Sequence, residues 1–161
     1  MKKIFASVFF AALFISFANA ENNFFCNNFS KTFINALISE KVSDLDDLMP
    51  TEDFLRKNFP AEADKLKEGE ELQKAIKEKI KQDFQLIIQS KKKFNIDPTK
   101  FENIACKLES PYGEDSPLKA LSVHYDYDGH SGEFAFGLIE FDGDYYLQGI
   151  LLSHDVFNFE N

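Results

Sequence analysis

Apolar side chains recur every three or four residues near the start of the chain. In FFCNNFSKTFINALI, residues 24–38, Phe29, Phe33, Ala36 and Leu37 fall on one face. Cys26, three positions before Phe29, shares that face, and the period predicts a first helix over about 23–38. A second helical stripe is longer: Leu72, Ile76, Ile80, Phe84, Ile87 and Ile88 predict a helix over about 68–92. Its remaining positions are Lys, Glu and Gln, with pairs such as Glu70 and Lys74 at the supportive four-residue spacing. Lys91, Lys92 and Lys93 fall in its last turn, where cations suit the helix dipole. That triplet reads as a solvated helix end, with a docking patch as the alternative.

Between the two stripes lies VSDLDDLMPTEDFLRKNFP. Ser43 with Asp46 resembles a capping box before a short turn that Pro50 stops. Thr51 is a second N-cap, followed by Glu52 and Asp53 in the first turn of a short helix that ends near Pro60.

From Phe101 the period changes to two. Strands are predicted over 102–109, 118–127, 133–141 and 145–153. The segment SPYGEDSP joins the first pair, DGHSG turns the second strand into the third, and Asp142-Gly143 makes a two-residue hairpin turn. The tail HDVFNFEN reads as a loose end or an edge extension. Helices first and strands after define an α+β fold, with N-terminal helices packed on a curved four-stranded antiparallel meander.

Cys26 and Cys106 are the only cysteines. In FENIACKLES, Ile104, Cys106 and Leu108 alternate with Ala105, Lys107 and Glu109, so Cys106 belongs to the apolar side of its strand. Each sulfur thus points coreward from its own element, and a Cys26–Cys106 disulfide is expected, two buried thiols being the alternative. No C-x-x-C is present, and nothing basic stands beside Cys26, which argues against a redox-active pair.

The first twenty residues, MKKIFASVFFAALFISFANA, join a positive start to an apolar run and an A-x-A site, the pattern of a cleaved secretory signal. Residues 21–161 are then a single domain working in the periplasm, or secreted, where a disulfide persists. Lys2 and Lys3 are the only charges in that leader, so its removal takes the net charge from −9 to −11. Such an acidic chain repels phosphate backbones and anionic lipid, so no nucleic-acid partner is expected; the charge reads first as solubility in a crowded envelope, with recognition of a cationic partner as the alternative. No stable membrane anchor is expected.

Two segments carry a family resemblance. FINALISEKVSDLDDLM, a helix, a polar break and L-x-x-L, resembles the opening of NTF2-like (cystatin-like cone) domains. IEFDGDYYLQGILL resembles their closing hairpin, although Tyr145 and Tyr146 stand where a tryptophan often follows the turn. The resemblance implies a cone with a pocket and no particular activity. The candidate lining is His124, Tyr125, Asp126, Tyr127, Phe136 and Tyr145, although aromatic strand residues are more often plain core.

Candidate chemistry is thin. His124 and Asp126 share a strand face, about 7 Å apart by the two-residue repeat, and could form an acid/base pair or part of a metal site. Asp128 and His130 fall in a turn that Gly129 and Gly132 already explain. The acids do not keep the register of a calcium loop. No G-x-S-x-G, H-E-x-x-H or glycine-rich phosphate loop occurs, and Ser153, His154 and Asp155 are adjacent on an extended tail and make no triad. The expectation is therefore a non-enzymatic binding protein without metal or cofactor, for a protein partner or a small ligand. The alternative is a small NTF2-like enzyme using His124 and Asp126.

Overall fold

The computed structural model describes residues 24–58, 69–151 and 157. The leader, Pro60, Ser153, His154 and most of the tail lie outside them. Among the described residues, three α-helices precede a four-stranded antiparallel sheet of order β1-β2-β3-β4. The helices are α1 (24–39), α2 (Glu52–Asn58) and α3 (Gly69–Lys93). The strands are β1 (Glu102–Glu109), β2 (Leu118–Tyr127), β3 (His130–Phe141) and β4 (Asp144–Leu151). Helices α1 and α3 pack on one face of the curved sheet, and the α+β class and the meander are those expected.

The periodicities explain the core. From α1, Cys26, Phe29, Phe33, Ala36 and Leu37 are buried; from α3, Ile80, Phe84, Ile87 and Ile88. Leu121, Val123 and Tyr125 of β2 and Phe134, Phe136 and Leu138 of β3 face them. Phe33 packs edge-on against both Phe134 and Phe136, with centroids 5.0 and 4.7 Å away. Each such aromatic contributes about 1.5–3 kcal/mol by leaving water.

The helix ends depart from expectation. The segment Val42–Leu48 is a 3-10 helix whose N-cap is Lys41, without a side-chain cap, so Ser43 does not form the capping box. Ser39 instead donates to Asp44 Oδ2 at 2.7 Å. Thr51 does cap α2, accepting from Phe54 N–H at 3.2 Å. At the end of α1, Glu40 adopts a left-handed conformation (φ 58°), and Lys41 N–H returns to Ala36 C=O.

The lysine triplet is not simply solvated. Lys91 is buried; its ammonium donates to Leu37 C=O at 3.2 Å and pairs with Glu40 at 2.7 Å. Lys92 holds the other Glu40 oxygen at 2.7 Å. The end of α3 thereby satisfies an orphan carbonyl in the last turn of α1.

The turns set the register. Asp128 and Gly129 both have positive φ, the signature of a two-residue type I′ turn, so β3 begins at His130 rather than at residue 133. His130 is therefore a strand residue paired with Tyr127. Asp142-Gly143 forms the second such turn, as expected. Of the tail HDVFNFEN, the described residue is Phe157, which is buried among Phe101, Tyr125 and Phe134.

Cys26 and Cys106 form a disulfide with Cα atoms 5.6 Å apart, linking α1 to the edge strand across 80 residues of sequence. Ile104, expected on the apolar side of β1, is exposed. A bulge between Glu102 and Ala105, with Asn103 at φ 49°, breaks the strict alternation there.

Candidate functional site: the open face of the sheet

The pleat sends alternate side chains of β2 and β3 away from the helices. Ser122, His124 and Asp126 therefore share the open face with Ser131, Glu133 and Ala135. Register places His124 opposite Glu133, with Nδ1 3.6 Å from a carboxylate oxygen. The other oxygen of Glu133 accepts from Ser122 Oγ at 2.6 Å. Both His124 and Glu133 side chains are nearly half exposed.

Asp126 is committed elsewhere. Ser131 donates to one oxygen at 2.7 Å and Asn103, from the β1 bulge, to the other at 2.8 Å. These two bonds, Ser131 first, hold its carboxyl below the usual carboxylate range. A carboxylate so held is a poor proton acceptor. Lys107 on β1 pairs with Glu109, which raises its pKa, and Glu133 adds a weaker pull.

The six residues proposed to line a pocket divide between the two faces. His124 and Asp126 are on the open face. Tyr125 and Phe136 are fully buried in the core, where burial pushes the Tyr125 phenol above its ordinary range. Tyr127 and Tyr145 are partly buried against that core; Tyr145 packs on Phe25, and the Tyr127 hydroxyl accepts from Asp97 N–H at 3.4 Å. The aromatics thus serve as core rather than lining a chamber with His124. Nor are His124 and Asp126 brought together, since the acid beside the imidazole is Glu133.

Glu133 as that neighbour was legible in principle. Taking Asp128-Gly129 as a two-residue turn pairs 127 with 130 and hence 124 with 133. The sequence already offers Glu133 and Glu140 as the acids of the next strand, and the two-residue turn decides that Glu133 is the one opposite His124. Among the described residues, no three His, Cys, Asp or Glu side chains gather as a metal site.

Beyond the polar patch the open face is nearly bare. Ala120, Gly137 and Gly149 are directly paired across three strands, and nothing described stands within 4 Å of a Cβ built on either glycine. Leu118 and Leu151 are exposed nearby, and Phe54 of α2 covers Phe141 and Tyr146 at the far end. No described helix is long and apolar enough to cross a membrane. No protein-family model, curated protein or solved structure matches the chain.

Proposed function

We propose that this protein is an exported, non-enzymatic binding protein of the periplasm or of secretions, recognising a cationic protein partner. The observation that carries the reading is the division of the sheet. The helix side is filled by Phe29, Phe33, Phe134 and Phe136, while the polar side chains spread over an open surface. A surface of this kind supports recognition better than enclosed chemistry, which needs a dry, shaped site.

The compartment follows from the Cys26–Cys106 bond, which persists where thiols are oxidised, and from the leader pattern at residues 1–20. The partner's charge follows from the −11 left after leader removal. An acidic domain gains association rate toward basic proteins within a Debye length of about 8–10 Å. Helices followed by a meander support the likeness to NTF2-like domains in architecture. The reading as an acid/base enzyme has less behind it, because Asp126 is held by Ser131 and Asn103.

The test immobilises the mature protein and passes envelope extract over it at low salt, with an unrelated protein of equal charge as control. Basic proteins retained specifically and released by raised salt support the reading. Retention that ignores salt, or equals the control, overturns it. A turnover activity lost about a hundredfold in His124→Ala would transfer the case to the enzyme.

A further inference from the structure

The loop between β1 and β2, residues 110–117, reads SPYGEDSP. At its tip Tyr112 is 74% exposed, the most of any large hydrophobic among the described residues. An aromatic left in water is ordinary on a slack loop, but this loop is held. Gly113 N–H returns to Ser110 C=O at 3.0 Å, closing a turn with Ser first, Pro second and Gly fourth, the type I preference. Gly113, at φ 97°, then reverses the chain into a second turn, closed by Ser116 N–H on Gly113 C=O at 3.1 Å. Leu118 N–H donates to Ser116 Oγ, and Pro117 C=O accepts from Glu140 N–H at 2.7 Å.

Beneath the loop lies a buried lysine, Lys119. Lys119 has a side chain only 5% exposed. Its ammonium donates to Ser110 Oγ at 3.1 Å and to Glu114 C=O at 2.9 Å, and pairs with Glu140 at 3.2 Å. Burying a lysine is costly unless its donors are satisfied, and here two of the three partners are loop atoms. Two prolines, two closed turns and a buried cation therefore fix eight residues whose outer side chains touch solvent.

We propose that this loop is a preorganised recognition element that inserts Tyr112 into a concave, basic surface of a protein partner. The proposal rests on the binding reading above and names the segment that makes the contact. Tyrosine gives a large, amphipathic contact with few torsions to freeze, and such residues concentrate binding energy at interfaces. Rigidity established before binding lowers the entropy lost on association. Exposed Glu114 and Asp115 follow Tyr112 in the same loop and no cation lies between 110 and 117, so the complementary surface is positive.

The test places a photoactivatable benzoylphenylalanine at Tyr112, or at His124 on the open sheet face, in the full chain expressed in its own cells. Intact mass of the exported protein checks that the disulfide has formed in both. The expected result is one adduct to a basic protein from position 112, absent from position 124. Tyr112→Ala should then weaken affinity for that purified protein at least about tenfold, and Tyr112→Phe only slightly. An adduct from position 124 alone, or equally from both, overturns the loop proposal and leaves the binding reading standing. No adduct from either position, together with no salt-sensitive retention on the column, overturns both.

Discussion

Gly132 lies directly opposite Tyr125 across the β2–β3 pair, and the tyrosine ring covers the space where a side chain would stand. A Cβ built on Gly132 would be 2.3 Å from Tyr125 Cζ and 2.4 Å from its hydroxyl oxygen. The glycine is thus required by a neighbour rather than by its own torsions. Gly132→Ala should destabilise the fold by about 1–3 kcal/mol, as overpacking of a filled core does. Urea unfolding will measure this. Combined with Tyr125→Leu, which removes the ring, the loss should be smaller than the sum of the single losses; strict additivity would show that the ring is not the obstacle.

The covalent link between α1 and β1 makes a second expectation. Denatured, unreduced protein should take up no thiol reagent, and reduction should expose two thiols. Cys106→Ala should cost about 2–5 kcal/mol, since the bond closes a loop of 80 residues. Two reactive thiols before reduction, in protein from an oxidising compartment, would refute the pairing.

Adjacent lysines should behave differently. Lys91→Met leaves Leu37 C=O without its donor and removes the buried partner of Glu40, a loss of about 1–3 kcal/mol. Lys92→Met removes an exposed ion pair and should cost no more than about 1 kcal/mol. Equal unfolding midpoints for the two variants would contradict the buried clasp.

Asp126 and Glu40 set a pH dependence of definite sign. Hydrogen bonds from Ser131 and Asn103 lower the folded pKa of Asp126, and Lys91 and Lys92 lower that of Glu40. A folded pKa below the unfolded one contributes stability that is present above the unfolded value. It is lost as the pH falls through the folded value, so the loss belongs below about pH 4. Side-chain carboxyl titration by NMR should find both groups low, and Ser131→Ala with Asn103→Ala should return Asp126 to the ordinary range. An Asp126 that titrates normally in the unaltered protein would remove those bonds from solution.

Much of the fold was legible because each element carries its own period. The stripe from Ile76 to Ile88 and the alternation from Leu121 to Tyr125 each demand one buried side, whatever lies opposite. Thr51 and the Asp142-Gly143 turn were likewise readable, since cap and turn chemistry act within four residues. Local reading failed where partners are distant. Ser43 matches a capping pattern, yet the chain enters that 3-10 helix through Lys41 after a left-handed Glu40 held by lysines some fifty residues away.

The sequence by itself determined the class of fold, the faces that Cys26 and Cys106 occupy, and a net charge of −9. All of these depend on composition or on spacing within one element. Tertiary structure decided which acid of the next strand His124 meets, Glu133 or Glu140, because a five-residue or a two-residue turn leads to different cross-strand neighbours, and only the latter brings Glu133 alongside. It also decided that Tyr125 and Phe136 are core, since burial depends on which layer covers a strand face. The same holds for Lys119 beneath the 110–117 loop: its burial follows from atoms of Ser110, Glu114 and Glu140 converging in space, and no period along the chain records that convergence.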